Sequence, residues 1–154
     1  KPGTFALAMS RGGFGLRFSL DPHRELSTRS GRKFAKLADG DDIVGVIPSR
    51  KKDILAVVTR DSRTLLCEAD DVAELAGPGR GVTVIKLEDD DQVIGFGLGK
   101  ADADTIVRAE TDSGKTHKVG PGHDEVVSRG SKGRAIGKRT KIARVLPADD
   151  SQVN

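Results

Sequence analysis

The sequence predicts an all-β fold, a propeller-like array of about three four-stranded antiparallel blades that forms an open arc. Residues 5–17, 54–66 and 106–118 align without a gap, and each is followed by a basic, glycine-rich step and an apolar run. Repeats of this length with several short strands are typical of propeller blades. The 19 glycines and the short apolar runs also favour strands and argue against a membrane span. Since closed propellers use about four to eight blades, three repeats predict an open arc.

Each repeat is predicted to open with two strands joined by a tight hairpin. Residues 5–10 and 54–59 are apolar runs of strand length. Gly13 and Gly114 stand where such a hairpin requires a positive φ. The second strands are predicted at residues 15–19, 64–67 and 116–119.

The second half of each repeat is predicted to hold a loop and two further strands. Residues 21–26 and 70–75 are predicted loops with a single helical turn, and residues 34–37 and 82–87 are predicted third strands. Acidic turns at 39–42 and 88–91 precede the last strands, which are predicted at 43–47, 93–97 and 142–146. Four antiparallel strands per blade follow from this pattern.

The domain organisation is predicted from chain length and repeat spacing. Residues 1–147 are expected to form one domain of three repeats, and residues 148–154 are expected to be a disordered tail. The first residue is Lys1 rather than Met, which suggests a fragment or a processed chain. Cys67 is the single cysteine, and no signal peptide is recognisable, so a cytosolic setting is expected. The three repeats are predicted at residues 5–52, 53–104 and 105–147.

Charge differs strongly among the repeats. Residues 1–52 hold 11 cations and 5 acids, residues 53–104 hold 5 and 12, and residues 105–154 hold 10 and 6. The cations concentrate in the hairpins and glycine-rich steps, so equivalent loops would form a basic rim suited to a phosphate backbone. The candidate DNA-binding residues are Arg17, Arg29, Arg32, Lys33, Arg80, Lys118, Arg129, Lys132, Arg134, Lys138 and Arg139, with the loop glycines Gly31, Gly79, Gly130 and Gly133.

An alternative interpretation of these loops is that the glycines merely turn the chain and the cations are solvated. The recurrence of a cation at Arg32, Arg80 and Lys132 favours phosphate binding instead. With only five Phe and no Trp or Tyr, the chain lacks a stacking platform for single strands, so duplex DNA is the better target.

No catalytic or metal-binding residue is predicted. The three histidines, His23, His117 and His123, lack metal-ligand spacing and are interpreted as structural or surface residues. The acidic turn at 88–91 lacks the pattern of a calcium loop. No nucleophile elbow, P-loop or dinucleotide fingerprint occurs.

The repeats resemble the C-terminal β-pinwheel of the type IIA topoisomerase A subunits, found in bacterial gyrase and topoisomerase IV. The resemblance extends over residues 5–147 and rests on the hairpin with its following cation, the basic glycine-rich loop, and the last-strand pattern at 40–46. The middle repeat looks most like a topoisomerase IV blade, and the third resembles the terminal blade of that family.

The resemblance implies an accessory DNA-binding domain that binds and bends or guides duplex DNA and directs strand passage for decatenation and relaxation. The nucleophile of these enzymes is a tyrosine, and this chain has none, so it is not the catalytic part. The implied partners are duplex DNA, the N-terminal catalytic part of the same subunit and the ATPase subunit. The full enzyme would use ATP and Mg²⁺, and the implied location is the bacterial cytoplasm, near the nucleoid.

Two alternatives remain open at this point. The gyrase wrapping box resembles Gln-Arg-Arg-Gly-Gly-Lys-Gly, and its nearest match, residues 127–133, keeps only part of it, so topoisomerase IV is preferred over gyrase. The acidic middle repeat would also interrupt a continuous basic path, since Leu66 replaces the hairpin cation. The other alternative is a protein-interaction module whose acidic repeat docks a basic partner; an enzyme is the least favoured class.

Overall fold

The computed structural model describes residues 5–19, 40–75, 81–88, 90–137 and 139–148, and these form β-strands with one 3-10 turn, Ala69–Asp71. The strands are β1 (Phe5–Ser10), β2 (Phe14–Ser19), β3 (Ile43–Ser49), β4 (Ile54–Thr59), β5 (Arg63–Glu68), β6 (Glu74–Leu75), β7 (Val82–Thr83), β8 (Val93–Gly99), β9 (Val107–Thr111), β10 (Thr116–Val119), β11 (Arg134–Ala135) and β12 (Ile142–Pro147). The all-β prediction is confirmed. The predictions for residues 21–26, 34–37 and 149–154 lie outside the described residues.

Each repeat builds an antiparallel blade in which the last strand pairs with the first. Blade 1 has the order β3-β1-β2, blade 2 the order β8-β4-β5, and blade 3 the order β12-β9-β10. The register shifts by one bulge at the start of β3, β8 and β12. The three repeats of the sequence therefore become three sheets of the same construction.

In both junctions, strands of the later repeat pair with the preceding blade, a strand exchange in one direction that the sequence did not indicate. Strands β6 and β7 of the second repeat pair with β2 of blade 1, and β11 of the third repeat pairs with β5 of blade 2. The predicted strand at 82–87 is short for this reason, because only Val82–Thr83 lies beside β2. Within the described ranges, no strand pairs with the outer edge of β10.

A buried hydroxyl organises every hairpin. The Ser10 Oγ accepts a hydrogen bond from the Phe14 amide at 3.2 Å, and the Thr111 Oγ1 accepts one from the Lys115 amide at 3.0 Å. The middle hairpin repeats this bond with Thr59 and the Arg63 amide at 3.1 Å. The predicted turn glycines have positive φ, +93° at Gly13 and +92° at Gly114, and Ser62 takes the equivalent place with φ +66°. The hairpin prediction is therefore confirmed.

Two apolar cores hold the blades together, and both lie between sheets. One joins blades 1 and 2 through residues such as Leu7 and Leu55, and the other joins blades 2 and 3 through residues such as Val58 and Val107. Glycines allow close approach on the last strands. A Cβ at Gly95 would lie 2.6 Å from the Val145 Cβ. Packing between the blades therefore fixes the positions of the exchanged strands and of the basic loops that they carry.

Candidate nucleic-acid interface

The candidate DNA-binding residues divide into described and undescribed positions. The described residues are Arg17, Lys118, Arg129, Gly130, Lys132, Gly133, Arg134 and Arg139. The residues outside the described ranges are Arg29, Gly31, Arg32, Lys33, Gly79, Arg80 and Lys138. DNA binding by either set stays a prediction.

Arg17 ties blade 1 to the second repeat. Its side chain is only 17% exposed, and its Nε donates a hydrogen bond to the Val72 carbonyl at 2.8 Å. Its Nη2 donates to the Asp70 carbonyl at 3.4 Å, and its Nη1 lies 3.7 Å from the Asp70 carboxylate. These contacts favour a structural role for this arginine, because its donors already have partners.

Arg129 of the third repeat contacts the same part of the second repeat as Arg17 does. Its Nε donates to the Asp71 carbonyl and its Nη1 to the Thr83 carbonyl, both at 3.0 Å. The guanidinium therefore links the third repeat to the exchanged segment that carries β6 and β7. A phosphate would have to compete with two backbone carbonyls for these donors.

The two described loop glycines serve the junction between repeats. The Gly130 amide donates to the Val84 carbonyl at 2.6 Å. Gly133 has φ +76°, and a Cβ there would lie 2.5 Å from the Thr64 carbonyl oxygen. Gly81 has the same role one repeat earlier, since a Cβ there would lie 2.1 Å from the Gly15 carbonyl oxygen. Of the two glycines that the sequence suggested for phosphate approach, Gly133 allows close approach of backbone to backbone, and Gly130 allows a φ of +93°.

Lys132 and Arg139 are exposed cations in different situations. The Lys132 Nζ lies 3.1 Å from the Glu88 carboxylate, and both side chains are about half exposed. The hydrogen bond from Lys132, helped by its charge, holds the pKa of Glu88 below its usual value. Arg139 has φ +56° and forms no ion pair with the part of the chain that the structure describes. Of these two cations, only Arg139 can contact a phosphate without first breaking an ion pair.

The remaining two cations, Lys118 and Arg134, meet at one cleft between blades 2 and 3. The cleft has a volume of about 150 Å³, and β10 lines it on one side and β11 on the other. Lys118 is exposed, and the Arg134 side chain is 73% exposed with its Nη1 3.6 Å from the Asp124 carboxylate. His117 and His123 line the same cleft. We define the basic cleft as this space and its four nitrogen-bearing side chains.

The Asp104 carboxylate orients His123 at the edge of the basic cleft. The His123 Nε2 lies 2.9 Å from the Asp104 carboxylate, which also accepts a hydrogen bond from the Thr105 hydroxyl at 2.8 Å. The hydroxyl bond first, and the histidine second, hold the pKa of Asp104 below its usual value. Within the cleft, Asp124 accepts a hydrogen bond from the Gly120 amide at 3.1 Å, so its charge is partly occupied in shaping the turn.

The sequence indicates Lys118 and Arg134 as candidate binding residues but does not indicate that His117 and His123 line the same cleft. Their spacing fits no metal site, so the sequence favours a structural or surface role for both. Arg134 lies beside these histidines because β11 pairs with β5 of blade 2, and no local sequence pattern predicts that pairing.

The described residues give little support for a reactive thiol or a metal site. Burial raises the pKa of the Cys67 thiol to about 12, so this cysteine is a poor nucleophile near neutral pH. Among the residues that the structure describes, no three His, Cys, Asp or Glu side chains gather to hold a metal ion. The same residues include no helix of the length and apolarity needed to span a membrane.

The first two repeats match a known protein family. The model of the family described as "DNA gyrase C-terminal domain, beta-propeller" matches residues 5–50 and again residues 53–98, which together are more than half of the chain. The DNA gyrase subunits A of Rickettsia prowazekii (strain Madrid E) and Rickettsia typhi (strain ATCC VR-144 / Wilmington) are each 29% identical over 97 residues. Each match covers 61% of this chain and 11% of the relative, so the chain spans a small part of those proteins.

Solved structures share the fold over nearly the whole chain. The C-terminal domain of a DNA topoisomerase IV has a TM-score of 0.86 at 20% identity, covering 98% of this chain and 48% of that one. A DNA gyrase A C-terminal domain has a TM-score of 0.77 at 14% identity, covering 97% and 50%. The ParC C-terminal domain of E. coli has a TM-score of 0.76 at 17% identity, covering 94% and 60%. At these identities the likeness establishes the β-pinwheel fold alone.

Proposed function

Because this chain belongs to the family of DNA gyrase C-terminal domains with a beta-propeller fold, we propose that it binds duplex DNA through the basic cleft. The bound duplex would be guided toward strand passage by the catalytic part of a type IIA topoisomerase. Its own role is accessory, and the full enzyme would supply the tyrosine nucleophile, the ATPase subunit, ATP and Mg²⁺. The expected location is the bacterial cytoplasm at the nucleoid.

The observation that carries this proposal is the meeting of Lys118 and Arg134 at one cleft. Both side chains are exposed, and His117 and His123 add further nitrogen donors beside them. Exposed cations on one surface suit the phosphates of a duplex, which are bound through charge and not through base sequence. The arginines with structural partners, Arg17 and Arg129, would contribute mainly by keeping the blades in place.

The topoisomerase IV type is our preferred subclass. Residues 127–133 hold only part of the sequence that the gyrase wrapping box resembles. Arg129 of this segment is bonded to two carbonyls, and the Gly130 amide is bonded to a third. A loop whose donors are already bonded to carbonyls favours a domain that grips a DNA segment over one that wraps it.

A gyrase-type wrapping domain is the second candidate, supported by the names of the curated relatives. The two subclasses differ in what they do to DNA topology. A nicked circular plasmid should therefore be ligated in the presence of saturating protein, then deproteinised and resolved on a gel. A topoisomerase IV-type grip is expected to leave the linking number nearly unchanged. A shift that grows with protein concentration would replace our preferred subclass with the wrapping one.

The DNA-binding proposal is tested by fluorescence anisotropy with a labelled duplex of about 30 base pairs, a length that a bending protein engages. Titrations across a salt series should give sequence-independent binding. The double variant Lys118→Ala, Arg134→Ala should bind more weakly, with a log–log salt slope smaller by about 2 because up to two phosphate contacts are lost.

The matched control removes two exposed lysines from turns away from the cleft, Lys51→Ala with Lys100→Ala. This variant loses the same charge and should keep the wild-type slope. Equal weakening in both variants would show that net charge, not the basic cleft, governs binding. If the wild-type chain does not bind at low salt, the DNA-binding proposal fails, and a basic protein partner for the acidic middle repeat becomes the better hypothesis.

A further inference from the structure

The outward face of a blade, defined as the face toward the following blade, is apolar in blades 1 and 2. In blade 1 it carries Leu7 and Met9 of β1, and in blade 2 it carries Ala56 and Val58 of β4. All four side chains are fully buried. Each of these faces is covered by the next sheet.

The last strand of each covered face contributes a glycine opposite the first strand. Gly45 pairs with Met9, and Gly95 pairs with Val58. A Cβ at Gly45 would lie 3.2 Å from the Phe96 ring of the next blade. At Gly95 the next blade places Val145 in the corresponding position. The glycine therefore receives a side chain from the following blade in both junctions.

Blade 3 carries charged residues at the positions equivalent to Met9, Leu7 and Gly45. Arg108 and Glu110 of β9 stand where the other blades have apolar residues, and Arg144 stands opposite Glu110 where they have glycine. The Arg144 Nε donates to the Glu110 carboxylate, and the Arg144 side chain is 67% exposed. The Arg108 Nε donates to the Pro147 carbonyl at 2.8 Å.

We propose that Arg108, Glu110 and Arg144 form a polar cap that prevents another blade from docking on blade 3. A docking blade would have to desolvate the Arg144–Glu110 pair, and its inserted side chain would find an arginine in place of glycine. Repeat arrays end in units with a polar outer face for the same reason, since an apolar end would associate with other chains. The cap acts independently of DNA binding.

The face of blade 1 away from blade 2 is apolar instead: Ala6 and Ala8 of β1 are buried there, in one cluster with Leu16 and Phe18. Val46 of β3 has the same register as Phe96 and Val145, the side chains that insert over glycines in the two junctions. It is 43% exposed. A glycine at the Gly45 position of another blade would therefore have room for Val46, whereas blade 3 has Arg144 in the place of that glycine. The polar cap then keeps two copies of the chain from stacking head to tail.

The test converts blade 3 to the outward face of blade 2 in the full chain, with Arg108→Ala, Glu110→Val and Arg144→Gly together. Sedimentation velocity over a concentration series should show a monomeric wild-type chain and an associating triple variant. Adding Val46→Asp should reduce the association, because it removes the side chain that would insert at residue 144. The matched control removes two cations and one acid from exposed turns, Lys51→Ala, Lys100→Ala and Asp102→Ala, and should remain monomeric.

Circular dichroism establishes that each variant is folded before its mass is measured. If the triple variant does not fold, the single change Arg144→Gly provides the milder test, with weaker association expected. A folded variant that stays monomeric at every concentration would overturn the proposal. Association of the wild-type chain that Glu110→Lys abolishes would overturn it as well, since blade 3 would then already be a docking face.

Discussion

Strand β4 of blade 2 and strand β9 of blade 3 have equivalent positions in their sheets but different surroundings. Val58 of β4 is fully buried against blade 3, whereas Glu110 of β9 pairs with the exposed Arg144. Blade 2 is acidic in sequence yet apolar on both faces, and blade 3 is basic with one polar face. Position in the array, more than the local strand pattern, decides which residues each blade tolerates. Substitutions at equivalent positions of two blades therefore test this comparison.

The largest effect is expected from giving blade 2 the polar residue of blade 3. Val58→Glu would place a carboxylate in the core between these blades without a partner, at a cost of more than about 4 kcal/mol of unfolding free energy. Urea denaturation followed by circular dichroism measures the change. The reciprocal Glu110→Val, measured at low protein concentration, should alter stability by about 0.5 kcal/mol or less. Similar losses in both variants would contradict the comparison.

A smaller loss is expected where the third repeat crosses onto blade 2. Gly133→Ala should cost about 1 kcal/mol for its positive φ and a further 1–3 kcal/mol because the Cβ would crowd the Thr64 carbonyl. Gly114→Ala is the matched control, since its φ is +92° and no atom lies within 4 Å of its Cβ position. Thermal unfolding of both variants separates crowding from backbone strain. Equal costs would mean that the close approach at residue 133 is unimportant.

The two described arginines of the third repeat should separate stability from binding. Arg129→Ala leaves the Asp71 and Thr83 carbonyls without their donor and should cost about 1–2 kcal/mol of stability. Arg134→Ala should cost about 0.5 kcal/mol or less, because that side chain is mostly exposed, but should weaken duplex binding more than Arg129→Ala does. Urea melts and anisotropy on the same samples measure both effects. The reverse order in either assay would contradict the assigned roles.

The smallest effect concerns pH and the buried thiol of blade 2. Burial raises the pKa of Cys67 from 9.0 to about 12 in the folded chain. Between these values the unfolded chain releases the thiol proton and the folded chain keeps it, so the unfolded state binds fewer protons and stability falls as pH rises above 9. Urea melts of wild type and Cys67→Ala should diverge in slope against pH only above 9. Parallel slopes would contradict the raised pKa.

Much of the architecture was determined by the sequence because its signals are local. A hydroxyl followed by a residue with positive φ closes each hairpin, as at Thr111 and Gly114, and apolar runs of strand length mark both neighbours. The repetition of these signals predicted three antiparallel blades, and the structure confirms them. The polar pattern of β9, with Arg108 and Glu110, is also written in the sequence, although its meaning depends on which face it occupies.

The tertiary structure alone decided which cations are available and which are occupied. Arg17 and Arg129 resemble rim cations in the sequence, but strand exchange brings the carbonyls of residues 70–72 and 83 to their donors. The same exchange carries Arg134 to the side of Lys118 and forms the basic cleft. These contacts join residues far apart in the chain, and such pairings arise from blade packing. A local pattern specifies a strand and its turn, whereas the partner of a long side chain depends on what the folded array places beside it.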